Sequence, residues 1–204
     1  MPKLIFVLSD SVAEEARAAF AAHERRIRAR LPHVEVRHTG GTSVPGLLTT
    51  GDVDLQVRTK KQEFARARDV LCELYEPLYP EAWHDESAYF VAANSKPTVE
   101  VALTVIGTLD DLHHGEAWQL IAADPELIKR YNALKRAHEG GSQDDYSAAK
   151  RDFFYENFPL VDARLMCGSW SPTGSTAEPP AQALRPVDRP ACGDRARWLR
   201  GLVP

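Results

Sequence analysis

Apolar positions recur along the chain with two periods, and the places where the period changes mark out its elements. The run "LIFVL" at Leu4 to Leu8 is short, continuous and followed at once by Ser9 and Asp10, which predicts a strand. In "SVAEEARAAFAAHERRIRARL" the residues Val12, Ala16, Ala19, Phe20, Ile27 and Leu31 return at near-helical spacing. Ser11 followed by Glu14 is a capping-box signature for the start of that helix. Pro32 ends it, and "VEVRH" alternates apolar with polar residues as a half-buried strand does.

A loop follows from His38, and then the alternation resumes in "DVDLQVRT", a second strand of this kind. "KKQEFARARDVLCELY" places Phe64, Ala67, Val70 and Leu71 on one side of a second helix, and "AYFVAA" is a further strand. After a turn at Asn94-Ser95-Lys96-Pro97, "TVEVALTVIG" is the most strongly β-patterned run in the chain, closed by Gly107. From Gly115 to Phe158 the pattern is helical. "EAWQLIAA" is followed by "DPELIKRYNALKRAHE" with Asp124 as N-cap and Pro125 at N1, and by "SQDDYSAAKRDFFYENF" after Gly140-Gly141. These elements predict an α+β fold: a small mixed β-sheet, flanking helices and a C-terminal helical group. The Pro-, Gly-, Ser- and Arg-rich remainder has no sustained period, so a domain over 1–159 and a poorly ordered tail over 160–204 are expected.

Composition narrows the function classes. The 204 residues, 44% of them hydrophobic and 26% charged, suit one ordinary globular domain with a full core. A net charge of −4 argues against a surface built throughout for nucleic acid and leaves room only for a local basic groove. Cys72, Cys167 and Cys192 form no metal-binding spacing and fit a reducing cytoplasm. No stretch approaches the roughly 20 apolar residues of a membrane span.

The candidate chemistry lies in "HTGGTSVPGLLTTGDVDLQV", His38 to Val57. On a strand Asp52, Asp54 and Gln56 share one face while Val53, Leu55 and Val57 share the other. "TVEVALTV" repeats the arrangement, so Glu100 can line up beside the first two acids. Like charges about 4 Å apart repel by roughly 1 to 4 kcal/mol, and a divalent cation removes that cost. Oxygen ligands without Cys or His suit Mg²⁺ or Mn²⁺, and Mg²⁺ typically takes one or two carboxylates plus substrate phosphates. The upstream turn then gains a purpose. Gly40 and Gly41 allow the backbone to approach a phosphate closely, and Thr42 and Ser43 add hydroxyl donors. His38 reads as a hydrogen-bonded structural histidine. The pair His113-His114 and the stretch "WHDE" are set aside as metal ligands, because adjacent histidines point to different sides of most backbones.

The stretch "GGTSVPGLLTTGDVDLQV" resembles the GrpB family, whose signature reads like His-x-Gly-Ser-Thr-Ser-Val-Pro-Gly-Leu, within the nucleotidyltransferase superfamily typified by DNA polymerase beta. Gly40-Gly41, Asp52-Val53-Asp54 and Glu100 fit the superfamily order of Gly-rich turn, Asp-x-Asp strand and third acid. "RYNALKRAH" and "DYSAAKRDFF" look like the family's two helical Tyr-x-x-x-Lys segments, so the likeness spans roughly Val34 to Phe158. Thr50-Gly51 stands where many members have Lys-Pro, and Asp52 where many have an apolar residue. Gaining Asp52 restores the two-carboxylate pattern of the active superfamily.

The resemblance implies a nucleotidyltransferase-like sheet and a Mg²⁺-dependent enzyme. That enzyme would pass a nucleoside monophosphate from a nucleoside triphosphate to an acceptor, with Asp52, Asp54 and Glu100 as catalytic metal ligands. Tyr131 and Lys135, like Tyr146 and Lys150, share a helix face. Spacing alone favours aromatic core with solvated charge; the alternative has both lysines on the triphosphate and the tyrosines flanking a base or packing behind it. A catalytically quiet nucleotide-binding or regulatory module is the second functional expectation.

Overall fold

A computed structural model describes residues 3–158, and the tail expected over 160–204 lies outside the described residues. The chain opens with β1 (Val7–Leu8), then α1 (Ala13–Arg30), β2 (Glu35–Thr39), β3 (Leu48–Thr49) and β4 (Val53–Thr59). It continues with α2 (Phe64–Leu74), β5 (Glu76–Leu78), β6 (Ser87–Ala92) and β7 (Val99–Val105). Three helices end the described residues: α3 (Leu109–Ala123), α4 (Pro125–Ala137) and α5 (Gln143–Asn157). The α+β expectation holds at this level: a five-stranded mixed sheet, flanking helices and a helical group.

The main sheet has the order β2-β4-β7-β6-β5, in which only the β4–β7 pair is parallel. Period-2 alternation gives it an apolar face of Val53, Leu55, Val57, Val99, Val101, Leu103 and Phe90. That face packs on Ile27 and Leu31 at the end of α1 and on Phe64, Ala67 and Leu71 of α2. The opposite face is polar and is covered by α3. There Arg58 donates two hydrogen bonds to Asp111 at 2.6 Å, and Gln56 donates to Thr104 and Asp111. Such burial is tolerated because the charges are paired in a bidentate geometry.

Several sequence expectations are corrected. The strand expected over "LIFVL" is confined to Val7 and Leu8, which pair with Thr49 and Leu48 in a separate ribbon, while Leu4 and Phe6 are buried beside Leu48 and Tyr146. The capping box does not form. Ser9–Val12 is a 3-10 turn in which the Ser11 hydroxyl donates to the Leu8 carbonyl, and α1 starts only after it, with Val12 at its N-cap position and no side-chain cap. The first helix of the C-terminal group begins at Leu109, ahead of Gly115, with Thr108 as N-cap. Gly115 lies within it, where a Cβ would stand 2.7 Å from Oε1 of the buried Gln56 and would require that side chain to shift. The short strands β3 and β5 carry too few residues to show a period.

The helical group has its own core of Trp118, Ile121, Tyr131, Phe153, Phe154 and Phe158, joined by Val44 and Leu47 from the Gly-rich loop. Among the described residues no helix is long and apolar enough to cross a membrane.

A candidate nucleotide cleft between sheet and helical group

The parallel β4–β7 register sets Asp54 opposite Glu100, so the two carboxylates leave the same face of the sheet. Asp52 precedes them at the entry to β4, where it accepts a hydrogen bond from the Thr50 hydroxyl. With Gly41, Thr49, Lys135 and Lys150 they line a cleft of about 660 Å³ between the sheet and helices α4 and α5. Acids thus form one wall and lysines the other.

The loop that approaches this wall is built around Asp54. Gly40 has φ +73°, and a Cβ on it would fall 1.7 Å from Asp54 Oδ2. The glycine is therefore required by the carboxylate beside it as well as by its left-handed backbone. Gly41 faces the cleft, with the Lys135 ammonium 3.4 Å from where its Cβ would be. The hydroxyls expected to serve phosphate are already committed within the loop. Thr42 Oγ1 donates to the Asp52 carbonyl at 3.0 Å, and Ser43 Oγ donates to the Gly40 carbonyl at 2.7 Å. Thr42 and Ser43 hold the loop's shape, which leaves its backbone to meet a ligand.

His38 extends this support. Its Nε2 lies 3.0 Å from Thr42 Oγ1. Because the Thr42 proton goes to Asp52, Nε2 is the donor. Burial lowers the His38 pKa to about 4, and the ring stacks on Phe20 at 5.2 Å. The structural reading of His38 stands.

On the other wall, Lys135 is 4% exposed and Lys150 is 9% exposed, so neither is a solvated charge. The Lys135 ammonium donates to the Leu48 carbonyl and lies 4.6 Å from the centre of the Tyr131 ring. Tyr131 and Tyr146 are buried with their hydroxyls 3.4 Å apart, which makes them packing behind the lysines. Aromatic core was the right half of the plainer expectation, and solvated charge the wrong half.

The electrostatics follow from this crowding. Burial, then Asp52 and Glu100, push the Asp54 carboxyl well above the usual range against the pull of Lys150 and Lys135. Glu100 is raised to about 7 by burial and by Asp52, opposed by Lys150. Burial and the neighbouring Lys150 lower Lys135 to about 7, opposed by Asp52 and Asp54. Burial also lowers Lys150, against the attraction of Asp54, Asp52 and Glu100. A ligand bearing both a cation and several negative oxygens would relieve both walls.

Among the described residues no group of three or more His, Cys, Asp or Glu is disposed to hold a metal ion alone. The in-register pair Asp54 and Glu100, with Asp52 beside it, does suit a cation that takes its remaining oxygens from phosphates and water, as Mg²⁺ commonly does. The histidines set aside earlier serve elsewhere. His84 Nε2 is 3.0 Å from Asp110 Oδ2, and the buried His114 lines a cavity of about 30 Å³ behind Asp54 and Glu100.

The sequence offered no signal for Asn132, which clamps the loop. Its Oδ1 accepts from Leu48 N at 2.7 Å and its Nδ2 donates to the Gly46 carbonyl at 2.8 Å. Asp10 adds a bond from Gly46 N at 2.7 Å.

Comparison with known proteins supplies a family. The UPF0157 protein of Vibrio cholerae serotype O1 is 25% identical over 148 residues, which is 72% of this chain and 78% of that protein. The crystal structure of conserved protein GrpB from Enterococcus faecalis has the same fold, with a TM-score of 0.55 at 17% identity, covering 80% of this chain and 98% of that one. The family model described as GrpB protein matches residues 10–158, the span that contains the sheet, the loop and both lysine helices. The chain belongs to the GrpB family.

Proposed function

We propose that the cleft binds a nucleoside triphosphate with Mg²⁺ or Mn²⁺ and transfers its nucleoside monophosphate to an acceptor, as in the nucleotidyltransferase superfamily. The observation that carries this reading is the division of the cleft: Asp54 and Glu100 in register with Asp52 on one wall, Lys135 and Lys150 buried on the other. A polyphosphate with a bound divalent cation matches that polarity from both sides.

In this reading Asp52, Asp54 and Glu100 hold the metal, which when bound polarises the α-phosphate and stabilises leaving pyrophosphate. Lys135 and Lys150 neutralise the phosphate oxygens from the opposite wall, and the backbone of Gly41 borders the same space. The acceptor's proton would leave either to the metal-bound environment that acidifies the acceptor or to one of these three carboxylates when it is free of the metal.

The test is a melting-temperature screen of the four ribonucleoside triphosphates with Mg²⁺, Mn²⁺ or no metal, followed by a pyrophosphate assay with the best ligand. Metal-dependent stabilisation with pyrophosphate release is the expected result. Stabilisation with no pyrophosphate, whatever the acceptor offered, would assign the cleft to a nucleotide-binding or regulatory module instead. No stabilisation by any triphosphate overturns the reading.

A further inference from the structure

Lys150 stands apart from Lys135. It lies on α5, one face of which closes the cleft, and it too is buried. Lys135 is fixed by the Leu48 carbonyl and by the face of Tyr131, whereas Lys150 donates no hydrogen bond to a described residue. Its principal partners in the cleft are the charges of Asp54, Asp52 and Glu100, all of which act on it across the same space. An ammonium on a buried side chain, with no hydrogen-bond acceptor among the described residues and lining one cleft with three acids, occupies the electrostatic role that a divalent cation would otherwise fill.

We propose that Lys150 is the built-in counter-cation of the acidic wall, so that a divalent metal enters the cleft only together with a polyphosphate that draws the ammonium away from the acids. This rests on the reading of the cleft as a metal–triphosphate site. The flexible four-carbon stem of lysine permits the exchange, because the ammonium can turn from carboxylate to phosphate without movement of α5. Metal alone meets repulsion from Lys150, while a triphosphate supplies the negative charge that the lysine then follows. The lysine thereby offsets part of the acids' charge in the empty protein, and loose divalent ions are opposed there.

The experiment is a Mn²⁺ titration followed by electron paramagnetic resonance on the full chain, with metal alone and with metal plus inorganic triphosphate. Wild type should bind Mn²⁺ weakly alone and strongly with triphosphate. Lys150→Met should bind Mn²⁺ alone about tenfold more tightly than wild type, since one opposing charge is gone from a buried site. It should also lose most of the gain from triphosphate. Lys150→Arg keeps the charge and should exclude metal as wild type does. Equal affinity of wild type and Lys150→Met for Mn²⁺ alone overturns the inference, as does tight binding of Mn²⁺ alone by wild type. If Lys150→Met does not fold, Lys150→Gln makes the same comparison with a polar side chain. Failure of every nucleotide to stabilise wild type would remove the functional reading, and the metal-alone comparison would still decide whether Lys150 guards the acids.

Discussion

Gly40 and Asp54 are packed so closely that one added carbon on the glycine would stand 1.7 Å from Asp54 Oδ2 and 2.8 Å from its Cβ. The loop and the strand were therefore fitted to each other before any ligand is considered. Gly40→Ala must both leave a left-handed φ of +73° and displace the carboxylate, so it should cost roughly 2 to 4 kcal/mol. Urea unfolding checks this. A loss under about 0.5 kcal/mol would show that the loop yields without penalty.

Asp54→Asn keeps the side chain's size and removes its charge, so the melting shift caused by metal and triphosphate should disappear. Without ligand the variant should be more stable than wild type. The folded-state pKa of Asp54 is raised, so the wild-type carboxylate destabilises the fold increasingly as pH rises above its ordinary value of 3.8. The gain from Asn should accordingly be larger at pH 8 than at pH 5. Ligand-induced shifts equal in both proteins would remove Asp54 from the site.

His38 gives a pH dependence of the opposite sign. Its folded pKa is lowered from 6.5 to about 4, so the unfolded chain binds more protons between those values. Stability from the neutral ring is complete above pH 6.5 and is lost as pH falls toward 4. His38→Gln can still donate to Thr42 and does not titrate, so wild type should lose about 1 to 3 kcal/mol relative to the variant on acidification through that window. Parallel stability curves for the two proteins would contradict this.

Asn132→Ala removes the two bonds that tie Gly46 and Leu48 to α4 and leaves a buried N–H and a carbonyl without their partner. A loss of about 1 to 3 kcal/mol is expected. Nucleotide affinity should fall as well, because the loop borders the cleft through Gly41. Asn132→Asp keeps the acceptor for Leu48 N and should recover part of the stability, which circular dichroism melts will show.

The legible part of this molecule was what repeats. Alternation in "DVDLQVRT" and "TVEVALTV" located β4 and β7, and the same alternation put Asp54 and Glu100 on one face, which the parallel register then matched residue to residue. What depends on contacts far apart in the chain was hidden. Asn132 meets Leu48 across 84 positions, and nothing near Asn132 marks it as different from any polar helix residue. Local patterns also misled where a tertiary partner won: Ser11 bonds to Leu8 instead of capping α1, and the Thr42 and Ser43 hydroxyls turn inward to the backbone. Lys135 and Lys150 were named from their spacing, but their burial was not legible, because helical spacing reports which face a residue takes while burial of that face is set by the whole assembly.

Val44 and Leu47 leave the Gly-rich loop to sit in the core of the helical group, with Trp118, Tyr131 and Phe154. A chain still being synthesised can pair its strands once Val105 has emerged, yet the loop has no floor until α4 and α5 arrive. The cleft is thus closed by contacts of long sequence separation, the kind that is slow to form. A copy terminated before α4 would carry the acids on the sheet without the lysine wall that faces them.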